Sequence, residues 1–123
     1  MVKRVNPAFI LAKIESECDK VFFSATEDTV YATAVTNALG TLTLTGTDFN
    51  VAGGDAGGDS EKISLIQKAI TWDVSGTVAY ANFFKSTGTE HVVSTTAVTN
   101  KAVNATDSGT INAFDVWEIG AAT

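Results

Sequence analysis

Apolar positions in this chain recur with two different periods. Near the start, Ile10, Ile14, Cys18 and Val21 fall at i, i+4, i+8 and i+11 with Leu11 beside them, while Lys13, Glu15, Ser16, Glu17 and Lys20 cover the other side. That spacing predicts an amphipathic helix within residues 6–19. Asn6 is a good N-cap, and Pro7 stands at the first helical position, where its missing N–H costs nothing. A helix this short is not stable alone, so it has to pack on something.

Further along, the period falls to two. Gly40-Thr-Leu-Thr-Leu-Thr-Gly46 alternates strictly, with Leu42 and Leu44 on one face and threonines on the other. Val21-Phe22-Phe23 reads as a short buried strand. Residues 76–85 alternate Val78, Tyr80, Asn82 and Phe84 with Thr77, Ala79, Ala81 and Phe83. The turn Ser86-Thr-Gly-Thr89 then leads into His91–Thr96, the pattern of a β-hairpin. After the turn signal Asp107-Ser-Gly109, residues 110–119 read as one last strand carrying Ile111, Ala113, Asp115, Trp117 and Ile119 on a single face. Residues 27–39 are ambiguous, and Thr29–Val35 could be a strand. Ile63–Trp72 fits a helix nearly as well as a strand, with Ile70, Thr71 and Trp72 favouring the strand. Residues 50–60 carry four glycines and two aspartates and read as a loop. The expected fold is mainly β with one N-terminal α-helix, a small antiparallel β-sandwich or barrel, in a single domain over 1–123.

Composition strengthens the β reading. Thirty-eight of the 123 residues are Thr, Val or Ile, and branching at Cβ suits a pleated, half-buried surface. It also excludes classes of function. One cysteine, Cys18, can form neither an internal disulfide nor a thiolate zinc cage. No apolar run is long enough for a membrane helix. The basic start is followed by apolar residues interrupted by Lys13 and Glu15, which is not the pattern of a signal peptide, so synthesis in a cytoplasm is expected. Eight basic against fourteen acidic residues give a net charge of −6, with Arg4 the only arginine, so nucleic acid is not an expected partner.

Candidate chemistry is sparse. His91 is the only histidine, and a catalytic triad would have to be built around it from distant residues. Cys18 lies on the apolar stripe and reads as a core thiol. Asp55, Asp59 and Glu61 place three carboxylates on a glycine-rich segment, which invites comparison with calcium loops. That segment lacks the alternating ligands of an EF-hand and reads as a solvated connector, so no metal or cofactor is expected. Residues 1–5 form a candidate arm whose Lys3 and Arg4 could meet an acidic neighbour. Trp72, Tyr80 and Trp117 are candidate interface anchors, since large aromatics dominate binding surfaces.

The order of segments supports a resemblance over nearly the whole length. The features are an opening Asn-Pro helix, then Cys18-Asp-Lys-Val-Phe-Phe-Ser-Ala25 leading to Thr29-Val-Tyr31, then Ala38-Leu-Gly40 and a Gly- and Asp-rich loop. The second half supplies Ser75-Gly-Thr-Val-Ala79, Gly88-Thr-Glu-His91, Val93-Ser-Thr-Thr96 and Ile111-Asn-Ala-Phe-Asp-Val-Trp-Glu-Ile119. In these the chain resembles small virion structural proteins of tailed bacteriophages, the head decoration or cement proteins. It departs from them after the glycine loop, where a basic stretch is usual and this chain has Ser60-Glu-Lys-Ile63. The resemblance implies a non-enzymatic protein of the virion head surface, with the major capsid protein as partner and a homo-oligomer as one mode of attachment. The alternatives are a receptor- or carbohydrate-binding fibre or adhesin module with a host-surface glycan as partner, a head-tail connector or tail component, and a small hydrolase using His91.

Overall fold

The computed structural model describes residues 7–54, 60–98 and 100–119. The candidate arm with Lys3 and Arg4, the Asn6 cap, and Asp55 and Asp59 lie outside the described residues.

The opening helix is present as α1 (Pro7–Glu17), with Leu11 fully buried and Ile14 half-buried. The chain leaves it through Cys18 into β1 (Lys20–Ser24). Next comes a second helix, α2 (Tyr31–Asn37), which the sequence reading did not anticipate. Tyr31, Ala34 and Ala38 recur at i, i+3 and i+7, and they pack on Phe22 and Phe84. The small size of Ala34, wholly buried, lets this helix lie close against the sheet. Its outer side leaves Val30 and Val35 exposed.

The strands that follow are β2 (Gly40–Thr43), β3 (Phe49–Gly53), β4 (Glu61–Leu65), β5 (Lys68–Thr71), β6 (Gly76–Val78) and β7 (Tyr80–Lys85). The series ends with β8 (Glu90–Thr95), β9 (Lys101–Val103), β10 (Ser108–Ile111) and β11 (Phe114–Ile119). All pairings among them are antiparallel. A four-stranded sheet runs β2-β1-β7-β8 and a three-stranded sheet β11-β4-β3, with two-stranded ribbons β10-β5 and β6-β9. The fold is mainly β and sandwich-like, with α1 packed on β3 and β4 and α2 on β1.

Four boundaries differ from the sequence reading, each for a physical reason. Residues 76–85 are two strands, because the chain changes partner at Ala79: β6 pairs with β9, and β7 with β1 and β8. Residues 110–119 likewise split, β10 going to β5 and β11 to β4. Residues 63–72 are two strands broken at Ile66 and Gln67. The loop assigned to 50–60 is shorter, since residues 49–53 pair with β4 over five positions. Small residues hide that strand because ladder hydrogen bonds need only backbone. The expected hairpin is confirmed as β7-β8, its turn carrying Gly88 at φ +83° and Thr89 at φ +53°.

The core explains why β7 carries apolar residues without alternation. Phe83 and Phe23 point to the space between the two main sheets, where their ring centroids lie 6.1–6.3 Å from Phe49, Phe114 and Trp72. Phe22 and Phe84 occupy the opposite face under α2, 5.7 Å apart and edge-on to Tyr31. A sheet covered on both sides has no polar face to alternate with. Close packing extends to the backbone at Gly40, where a Cβ would sit 2.7 Å from the Trp72 ring and 2.9 Å from Ile70. Only glycine fits there.

Candidate docking face around Trp117

Among the described residues Trp117 is the one exposed large aromatic, 50 % accessible. Its position comes from an irregularity in β11. Asp115 pairs with Ser64 and Trp117 with Ile63, so Val116 and Trp117 together oppose Ile63. A bulge of this kind bends the strand and re-aims side chains. Val116 is buried at 2 % and Trp117 is turned outward, while Asp115 is held by the Ser64 hydroxyl, which donates over 2.8 Å. The single apolar face expected for 110–119 is thereby broken.

Trp117 borders a hollow of about 400 Å³ shared with Ile14 of α1 and His91, Val92 and Ser94 of β8. A second hollow, about 540 Å³, continues past Ile14 and Val92 to Lys13, Glu17 and Lys85. The two form a shallow trough with an apolar middle and charged ends. At one end the Glu17 carboxylate accepts from Lys13 at 2.6 Å and from Lys85 at 2.9 Å. Hydrogen bonds from these two ammonium groups hold its pKa down at about 2 against an ordinary 4.5. The tie between α1 and β7 is therefore fully present above pH 4.5 and is lost as the pH falls through about 2.

The back of the trough is a buried hydrogen-bond network that the sequence reading missed. Asn82, 0 % exposed, donates through Nδ2 to Ser24 Oγ and to the Thr26 carbonyl, both at 3.1 Å. Its Oδ1 accepts from the Asp28 N–H at 3.3 Å and from Ser94 Oγ at 2.7 Å. His91 Nε2 lies 2.8 Å from the same Ser94 oxygen, and its ring stands edge-on to Phe84. With the Ser94 proton committed to Asn82, the histidine bond is made by Nε2–H donating. A base that activates a serine needs the opposite polarity. Burial lowers the His91 pKa below its ordinary 6.5, partly opposed by Glu27, so the ring is neutral at pH 7. The visible signal was Asn82 itself, one polar amide in the middle of an apolar strand.

The remaining candidates are dispersed. Cys18 is buried at 2 %, and burial, with Asp19 and Glu17 nearby, pushes its thiol up to about 12. It is a core residue, as its place on the stripe implied. Trp72, expected as an interface anchor, is 3 % exposed and packs on Phe23; the two-residue period along the chain puts it on the same inward face as Ile70. Tyr80 is half-buried opposite Ser24 and is not among the residues lining the trough. Glu61 opens β4 opposite Gly53 and Ile119. Among the described residues no group of three or more His, Cys, Asp or Glu is placed to hold a metal ion, and no helix is long and apolar enough to cross a membrane. Comparison with protein-family models, curated proteins and solved structures gives no match to this chain.

Proposed function

We propose that this chain is a non-enzymatic structural protein of a tailed-phage virion, a decoration protein that binds the outer head surface through the face around Trp117. The observation that carries the proposal is the half-exposed Trp117 set against the apolar middle of a trough. Tryptophan is among the residue types most enriched where binding energy concentrates, and a partly sheltered ring flanked by aliphatic side chains loses little entropy on docking. The resemblance of its ordered segments to head decoration proteins supports the major capsid protein as the partner. A net charge of −6 suits a protein displayed at high local density, since like charge opposes self-association in solution.

Trp117→Ala tests this directly. Truncating a central aromatic anchor typically costs 2 kcal/mol or more of binding, about a thirtyfold loss, whereas an exposed residue changes stability by about 0.5 kcal/mol or less. The variant is expected to melt with the parent protein and to fail to co-sediment with capsids that the parent protein occupies. Full occupancy by the variant would overturn the assignment of this face. Binding of the parent protein to host-surface glycans and not to capsids would favour the adhesin reading instead.

A further inference from the structure

A separate cavity of about 280 Å³ lies between the ribbons β10-β5 and β6-β9 and shares no lining residue with the trough. Its apolar lining is Trp72, Val78, Val98 and Ile111, each at least nine-tenths buried. Asn100, Lys101, Thr110 and Asn112 form an exposed polar rim. The cavity is thus apolar inside and polar at its mouth, the usual build of a small-ligand site.

Two donors converge on its wall. Trp72 is held by its backbone, which donates to the Asp107 carbonyl at 2.9 Å and accepts from the Thr106 N–H at 2.7 Å. One ring edge is seated over Gly40, and the indole nitrogen is directed toward Gly109. A Cβ at Gly109 would lie 3.2 Å from Trp72 Nε1 and 3.5 Å from Lys101 Nζ. The absence of a side chain at this glycine therefore lets both nitrogens lie close against the backbone and near each other, where a Cβ would crowd the indole. Among the described residues the indole N–H has no hydrogen-bond partner and Lys101 no ion-pair partner. Among the described residues no buried side-chain nitrogen or oxygen goes unsatisfied, so the indole N–H keeps contact with open space. A buried indole normally finds a partner for its N–H.

We propose that this cavity binds a carboxylate carried on an apolar group, specifically the C-terminal residue of a peptide. The carboxylate accepts from Trp72 Nε1–H and from the Lys101 ammonium, a charge-assisted pair of bonds. The terminal side chain then enters among Val78, Val98 and Ile111. The volume suits one aliphatic residue with its carboxylate. Trp72 is only 3 % exposed, too little of its ring to serve as a stacking platform for a sugar. This site is independent of the Trp117 face and stands whatever that face binds.

The test is a titration with N-acetyl-Ala-Ala-Leu as the free acid, followed by the two indole N–H signals in nitrogen–proton correlation spectra and assigned with Trp117→Phe. The expected result is a shift of the Trp72 signal alone. Affinity should fall at least about tenfold for the C-terminal amide of the same peptide and for Lys101→Met, as loss of a charged hydrogen bond implies. No shift of the Trp72 signal at millimolar peptide, or equal binding of acid and amide, would overturn the proposal. N-acetylneuraminic acid serves as the competing carboxylate, and a response to it without one to the peptide would also overturn it.

Discussion

Phe83→Ala is expected to destabilise the fold by about 3–5 kcal/mol, the range for deleting a fully buried phenylalanine. Phe83 is 0 % exposed, pairs with Val21 and Val93 across the four-stranded sheet, and meets Phe49 of β3 and Phe114 of β11. It therefore joins the two main sheets. Backbone ladders on both sides prevent the site from collapsing to fill the void, so the cost belongs at the upper end. Domains are stable by only about 5–15 kcal/mol in total. A urea midpoint shifted by a third or more of its parent value would agree. A shift as small as that of a surface substitution would mean that the sheets are held together elsewhere.

Asn82→Ala is expected to be nearly as damaging, although it removes fewer atoms. The amide bonds four partners on three segments, and its loss leaves the Asp28 N–H and the Ser94 hydroxyl without their acceptor. Each buried donor left unpaired costs about 1–3 kcal/mol. The two together give about 2–6 kcal/mol, and the Ser94 hydroxyl recovers part of it only if His91 moves its proton to Nδ1 so that Nε2 can accept. The variant should also release the segment after β1, which hydrogen exchange at residues 24–28 would register. Unchanged protection there would show that Ser24 and Asp28 hold the segment without Asn82.

What could be read from the sequence, and what could not, divides along physical lines. Period and turn chemistry are local, and they placed α1, β1, β2 and the β7-β8 hairpin. Choice of partner is not local. Nothing around Ala79 or Asn112 announces that the chain passes there from one sheet to another, since both flanking segments alternate in the same way. The helix α2 was hidden because two of its three packing residues, Ala34 and Ala38, are small, while Val30 at its start and Val35 within it face outward. The Trp117 face was legible only as a list of aromatics. Sequence could not decide that Trp72 goes in and Trp117 goes out, because the bulge at Val116 decides it for the second. The cavity lined by Trp72 and Lys101 left no local trace, because its two donors are 29 positions apart in the chain.

The central claim is that this protein is a component of the virion head, bound in many copies to the shell. Quantitative mass spectrometry of purified particles, read against the major capsid protein, tests it most directly. The account predicts a copy number that scales with the capsid lattice, comparable to that of the shell protein. Absence from particles, or a count matching a single ring at a portal or tail, would contradict it.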